Sequence, residues 1–360
     1  MQGCWLSWYV YKDTEGWFTP AHLQSLAEAG VDFVILALDK ADWRKNLNVA
    51  SVNIPYRDYI ARLVKLGSDL GIRMAVGLHF DTDLYNAFGG YFRPMEKTRM
   101  ILDDTLRAAW LQWGQDVLTH CRAKEGVYPW GIHIIDEAGG YYQDYPMTRE
   151  FYRDSFVIPS LQAYRAIDAD IAIILAGGGG TPTSKWGTGD RRNLDFFIAN
   201  PLPYSNVYYL AIAEYRPYAQ GSAYAADMAQ SRDYAKTRLY AWLEARFNGL
   251  LPNVIGAVAT ETQQPYWREF LQDLYNWYKS KNASYCQWAV ATRATNWSIL
   301  DKATGDFTTI GQWFVDNLSE SPTPPPPNGD GEPQPQPNLI PLVILVLLGL
   351  VGGVATFGGD

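Results

Sequence analysis

Strand-like apolar segments alternate with amphipathic helical segments along residues 1–318, and this alternation constrains the fold more than any other feature of the sequence. Strict alternation predicts a parallel sheet with right-handed crossovers. Eight repeats of the unit favour a closed (β/α)8 TIM barrel, with an open doubly wound sheet as the alternative. The expected strands are Gly3–Trp8, Phe33–Leu38, Met74–Phe80, Gly131–Ile135, Ile171–Leu175, Val207–Ala213, Ile255–Thr260 and Gln287–Ala291.

Helical segments are expected after each strand. The first is capped by Thr19, opens at Pro20 and closes at Gly30. The others are Pro55–Leu70, Met100–Lys124, Thr148–Ile167, Arg191–Ala199, Ala229–Phe247, Pro265–Lys279 and Thr309–Leu318. We therefore assign residues 1–318 to one barrel domain.

The composition excludes several functions. A net charge of −8 gives no basic surface for nucleic acid. The glycines at 177–180 lack the Lys-Ser/Thr ending of a phosphate loop, and the cysteines and histidines show no metal-ligand spacing. We therefore predict no metal and no cofactor. The aromatic content of 14% suits a protein that stacks side chains on sugar rings.

The chain changes character after the barrel. Residues 319–338 are Pro-rich and lack apolar periodicity, which predicts an extended linker. Residues 339–357 are uncharged and apolar over about the ~20 residues that cross a bilayer, which predicts a transmembrane helix. Gly349 and Gly353 form a Gly-x-x-x-Gly pair suited to self-association of such helices. We expect a membrane-anchored barrel on a cell or particle surface, with its side of the membrane left open.

Acidic residues are concentrated at the expected carboxyl ends of the strands, where a barrel carries its active site. A single acid there commonly caps a helix or pairs with a cation, but several acids at one mouth point to carboxylate chemistry. Glycoside hydrolysis needs two carboxyl groups on opposite sides of the scissile bond, and Glu137 and Glu261 would face each other across the mouth. The candidate site residues are Trp8, Asp39, His79, Asp81, Asp136, Glu137, Tyr215, Glu261 and Trp288.

The two glutamates also carry a resemblance. Asp136-Glu137 ending the fourth strand, with VATE at residues 258–261 ending the seventh, resembles the retaining glycoside hydrolases of clan A, such as the family 5 cellulases and mannanases. The resemblance implies that Glu137 is the acid/base and Glu261 the nucleophile in cleavage of a β-linked poly- or oligosaccharide.

The same resemblance implies roles for neighbouring residues. Tyr215 would hydrogen-bond the nucleophile, His79 would line the sugar site, and Trp288 would form a stacking platform. Asp39, Asp81 and Trp8 are expected to bind substrate at the same rim. The chain departs from the pattern at Asp136, where the clan has Asn, and after the second strand, where Asp39 and Lys40 stand in place of an Arg.

Asp136 leaves two interpretations open. It either replaces Asn as a sugar contact and raises the pKa of Glu137 by charge repulsion, or it forms a catalytic pair with Glu137. Substrate-assisted hexosaminidases use such a pair, in which Asp orients an N-acetyl nucleophile, and Glu261 would then have no chemical role. A third hypothesis is a membrane-anchored barrel that binds glycans without catalysis.

Overall fold

Eight parallel strands close into a barrel in the computed structural model of this chain. The structure describes residues 1–5, 18–50, 52–87, 94–135, 147–176, 196–197, 199–215, 254–260, 267–281, 283–288, 298–301 and 304–319. The barrel order is β1-β10-β9-β8-β7-β6-β5-β2, and β1 pairs with both β2 and β10 to complete the circle. The predicted TIM barrel is therefore confirmed, and the open doubly wound alternative is wrong.

The strands are short and apolar. Every residue of β2 is buried, since a barrel strand is covered on the inside by other strands and on the outside by helices. β3 and β4 form a separate antiparallel pair outside the barrel. The bounds are β1 Gln2–Trp5, β2 Phe33–Asp39, β3 Asn48–Val49, β4 Ile54–Pro55, β5 Arg73–Phe80, β6 Gly131–His133, β7 Ala172–Ala176, β8 Val207–Tyr215, β9 Val254–Thr260 and β10 Ser284–Trp288.

Several of the described helices begin at a residue whose side chain caps them. Thr19 caps the first helix as predicted, since its hydroxyl accepts from the His22 amide while the Thr19 amide donates to His22 Nδ1. The bounds are α1 Pro20–Glu28, α2 Lys40–Lys45, α3 Tyr56–Asp69, α4 Thr82–Ala87, α5 Pro94–Leu102, α6 Asp104–Glu125, α7 Arg149–Phe151, α8 Ile158–Arg165, α9 Trp267–Ser280 and α10 Thr309–Ser319, with a π-helical segment, Tyr152–Val157, between α7 and α8.

One predicted helix is divided in two. The segment expected as Met100–Lys124 contains the end of α5 and most of α6, which meet at Asp103. The Asp103 carboxylate accepts from the Leu106 amide at 2.9 Å and so begins a new helix. The apolar periodicity continues through this break, which is why the pattern alone predicts a single helix.

The core has two parts. A large cluster packs the outer faces of the strands against the helices, and a small cluster fills the barrel interior. The interior cluster contains one or two residues from most of the strands, namely Phe33, Ile35, Ala75, Ile174, Leu210, Ile255 and Cys286. The positions of these residues identify which residues of each strand face the barrel interior.

The described residues all belong to one compact unit, Met1–Ser321. Within them, no helix has the length and apolar character needed to cross a bilayer. The predicted transmembrane segment at 339–357 and the linker at 319–338, apart from Ser319, lie outside the described residues. The predicted helix Ala229–Phe247 also lies outside them, as does most of Arg191–Ala199.

Gly311 in α10 offers a test of this packing. A Cβ atom there would lie 1.9 Å from the Ile299 carbonyl oxygen, so Gly311→Ala should lower the free energy of unfolding by about 1–3 kcal/mol. Helix propensity alone predicts the opposite sign. Urea denaturation measures the change, and Gln312→Ala, at the exposed neighbouring position, should stay within about 0.5 kcal/mol of the parent. A Gly311→Ala protein as stable as the parent would contradict the close approach.

Candidate active site

The carboxyl ends of β2, β5 and β6 form one sector of the barrel mouth. Asp39 is the last residue of β2, His79 is the penultimate residue of β5, and Asp81 follows β5 directly. Because β2 and β5 are neighbours in the barrel, these three predicted residues lie on adjacent strand ends. The structure thus brings together the three predicted site residues that belong to the second and third predicted strands.

The register between β2 and β5 changes at the mouth. Leu38 pairs with Leu78, but Asp39 pairs with Phe80, which leaves His79 as the extra residue of an irregularity in β5. Such bulges are common beside active sites, where they re-aim a side chain.

His79 forms a buried pair with a histidine of the next strand. Its Nε2 lies 3.0 Å from Nδ1 of His133 on β6, and the two rings meet edge to face at 79°. The residues are 2% and 0% exposed. Burial lowers the pKa of His79 well below its ordinary value, and the positive charge of Lys97 lowers it further. His79 is therefore a neutral imidazole at neutral pH.

Gly77 makes room for this pair. It lies two residues before His79 on β5 and is in register with His133. A Cβ atom at Gly77 would lie 2.7 Å from Cδ2 and 2.8 Å from Nε2 of the His79 ring. The absence of a side chain therefore lets the ring of His79 occupy the space beside His133.

Asp39 ties two strand ends together. One carboxylate oxygen accepts from the amides of Ala41 at 2.8 Å and Thr82 at 3.2 Å, and the other accepts from the Thr82 hydroxyl. Burial raises the pKa of Asp39, and the hydrogen bonds from Thr82 and Ala41 oppose that rise. The side chain caps α2 and joins the end of β2 to the residues after β5. Its predicted contact with substrate stays a prediction.

Asp81 also has structural partners. It pairs with Lys40 at 3.2 Å and accepts from the Leu84 amide at 3.2 Å. The ion pair with Lys40 is the structural role that an acidic residue at a strand end often has. Whether Asp81 also binds substrate, as predicted, stays a prediction.

The other predicted residues divide into two groups. Tyr215 and Trp288 end β8 and β10, where their backbones pair with Thr260 and Ala259 of β9. Tyr215 is therefore registered beside the residue that precedes Glu261 in the chain. The remaining four, Trp8, Asp136, Glu137 and Glu261, lie outside the described residues.

Sequence reasoning missed His133, Gly77 and Lys97. His133 carries a readable signal, because it is a polar residue inside the apolar run Gly131–Ile135. Lys97 is only 8% exposed, but nothing in the sequence indicates its burial, because that burial depends on how α5 packs. Among the described residues, no three or more His, Cys, Asp or Glu side chains are grouped as metal ligands.

The barrel resembles solved glycoside hydrolases. A crystal structure described as a glycoside hydrolase superposes with a TM-score of 0.58 at 17% identity, covering 88% of this chain and 98% of its own. Endo-glycoceramidase II from Rhodococcus sp. gives 0.58 at 14% identity, covering 88% and 77%. The catalytic domain of Thermobifida fusca endoglucanase Cel5A gives 0.54 at 16% identity, covering 89% and 91%. Neither a protein-family model nor a curated protein sequence matches the chain. At these identities the likeness shows a fold shared with glycoside hydrolases.

The anchoring role of Asp39 can be tested by two substitutions. Asp39→Ala removes the acceptor for both Thr82 and Ala41 and should lower the free energy of unfolding by about 1–3 kcal/mol. Asp39→Asn keeps one acceptor oxygen and should lose less. Thermal and urea unfolding measure both. If the alanine variant matched the parent in stability, Asp39 would not be the anchor of this rim.

The lowered pKa of His79 predicts a pH dependence of stability. Below about pH 6.5, the unfolded chain takes up a proton at His79 that the folded protein does not, so stability falls as pH falls. The slope for this one group approaches about 1.4 kcal/mol per pH unit. In His79→Gln this contribution is absent, so the stability difference between parent and variant should shrink from pH 7.5 to pH 5. A difference that is constant over this range would contradict a neutral buried His79.

Proposed function

We propose that this protein is a retaining glycoside hydrolase that cleaves a β-linked glycan. The observation that carries the proposal is the closed barrel in which β6 leads along the chain to Asp136-Glu137 and β9 leads directly to Glu261. Two strands, β7 and β8, separate β6 from β9 on one side and four on the other, an arrangement suited to carboxyl groups from opposite sides of one mouth.

The chemistry follows a double displacement. The Glu261 carboxylate attacks the anomeric carbon while the Glu137 carboxylic acid donates its proton to the departing glycosidic oxygen. Water then attacks the glycosyl-enzyme ester as Glu137 removes its proton, which frees Glu261 and restores the acid. A lactosyl-enzyme intermediate has been captured in the endo-glycoceramidase that shares this fold. That species is the covalent product expected of the first step.

The rest of the mouth supplies binding groups in this proposal. His79 contacts a sugar hydroxyl as a neutral hydrogen-bonding group, and Asp136 contacts the sugar beside Glu137. Tyr215 hydrogen-bonds the nucleophile Glu261, while Trp8 and Trp288 stack on sugar faces. The substrate is a poly- or oligosaccharide, and no step calls on a metal or cofactor.

Anchoring is a separate part of the proposal. The apolar segment 339–357 has the length of a membrane-spanning helix, and the Pro-rich segment 319–338 would hold the barrel away from the bilayer. Gly349 and Gly353 would let two such helices associate. The barrel would then act on glycans at a cell or particle surface.

The catalytic roles predict a difference between two leaving groups. Glu261→Ala should lose nearly all turnover of every aryl β-glycoside. Glu137→Ala should lose on the order of 10²–10⁴-fold with 4-methylumbelliferyl glycosides, but much less in the first step with 2,4-dinitrophenyl glycosides, whose departure needs little acid assistance. A panel of aryl β-glucosides, cellobiosides, lactosides, mannosides and N-acetylglucosaminides measures this. The control is Glu28→Ala, at an exposed carboxylate of α1.

Three results would contradict the assignment. Full turnover in either glutamate variant would remove that residue from the mechanism. Activity confined to N-acetylglucosaminides and preserved in Glu261→Ala would favour the substrate-assisted pair Asp136-Glu137. A folded parent that binds glycans but cleaves none would favour a binding barrel.

A further inference from the structure

His133 occupies an inward-facing position of the barrel. It is in register with Ile174, a member of the interior cluster, and with Gly77 of β5. An imidazole in such an apolar interior costs free energy unless its polar atoms are bonded. The hydrogen bond to His79 satisfies one ring nitrogen of each residue.

Three local features converge on the ring of His79. His133 is a polar residue in an apolar strand, Gly77 weakens β5 by lacking a side chain, and the register between β2 and β5 shifts at His79. A buried polar residue, a strand glycine and a register shift each destabilise a barrel strand. Several such destabilising features at one point are commonly found at a functional site. An aliphatic residue at position 133 would suit packing alone.

The bond between the two rings has a chemical consequence. When two neutral imidazoles share a hydrogen bond, one nitrogen of the contact carries the proton and the other accepts. If His79 donates through Nε2, its Nδ1 is an acceptor; if His133 donates through Nδ1, the Nδ1 of His79 carries a proton. The orientation and tautomer of His79 are thus coupled to those of His133.

We propose that His133 is a positioning residue of the sugar site, which acts by fixing the orientation and tautomer of His79. The inference rests on the proposed function, in which His79 contacts the substrate. Burial lowers the pKa of His79, and the positive charge of Lys97 lowers it further, so His79 stays neutral. Held in this way, His79 offers a sugar hydroxyl one pre-oriented neutral group.

Two substitutions at position 133 separate hydrogen bonding from packing. The side-chain amide of His133→Asn can place a nitrogen or oxygen near the former Nδ1, whereas His133→Leu fills similar space without a polar atom. In the full chain, His133→Leu should lower kcat/KM on the order of 10²-fold, because His79 is left misoriented. His133→Asn should recover most of that loss.

A double-mutant cycle tests the coupling directly. If His133 acts only through His79, then His79→Leu combined with His133→Leu should be no worse than His79→Leu alone. Losses in kcat/KM that multiply would overturn the assignment, as would a His133→Leu enzyme with the kcat/KM of the parent. A parent that cleaves no aryl glycoside would instead overturn the proposed function, so the two failures are distinguishable.

Gly77→Ala provides a second way to disrupt the contact between His79 and His133, and it leaves both histidines in the sequence. The new methyl group would push the His79 ring away from His133, so kcat/KM should fall as it does in His133→Leu. The control is Gly67→Ala in α3, whose methyl group would meet Met74 in the outer core layer. That variant should lose stability but keep the kcat/KM of the parent.

Nitrogen NMR of the [¹⁵N]histidine-labelled chain gives a readout independent of turnover. The chain has 4 histidines, so individual ring nitrogens can be assigned. The parent and Gly67→Ala should show His79 as a neutral ring joined to His133 by one N–H···N hydrogen bond, which Gly77→Ala should lose. Absence of that hydrogen bond in the folded parent would overturn the proposal whatever the activity.

Discussion

Closure of the sheet is the constraint on which the rest of the structure depends. β1 pairs in parallel with β10 on one side and β2 on the other, so the first and last strands of the described barrel become neighbours. Closure gives every barrel strand a hydrogen-bonded partner on both edges and directs all eight carboxyl ends to one rim. Residues more than a hundred positions apart in sequence, such as Asp39 and Thr260, thereby reach one mouth.

The polar groups at that mouth serve two purposes. Asp39 and Asp81 cap helices and join strand ends, which makes them part of the framework of the rim. His79 and His133 contact each other through their ring nitrogens, and burial keeps His79 uncharged. This part of the mouth therefore combines anchored carboxylates with a neutral imidazole at His79, which can form the hydrogen bonds to sugar that the proposed function requires.

Much of the fold could be predicted from the sequence because a barrel strand is buried on both faces and reads as a short apolar run. β2 and β5 are clear in this way. The break at Asp103 could not be predicted from periodicity, since the apolar pattern continues across it while the capping hydrogen bond of Asp103 begins a second helix. The position of Asp39 and His79 at the carboxyl ends of their strands was predictable, because each lies at the end of an apolar run. The contact of His133 with His79 depends on cross-strand pairing and the burial of Lys97 depends on helix packing, so neither could be predicted.

The proposed function requires Glu261 to be a nucleophile that forms a covalent bond to sugar. The most direct measurement is peptide mass spectrometry after incubation with 2,4-dinitrophenyl 2-deoxy-2-fluoro-β-glycosides, whose fluorine slows release of the glycosyl-enzyme. A nucleophilic Glu261 predicts one added fluoroglycosyl group per chain, located on the peptide that contains Glu261 and absent from Glu261→Ala. A label on another residue, or an enzyme that turns over β-glycosides without ever being labelled, would contradict it.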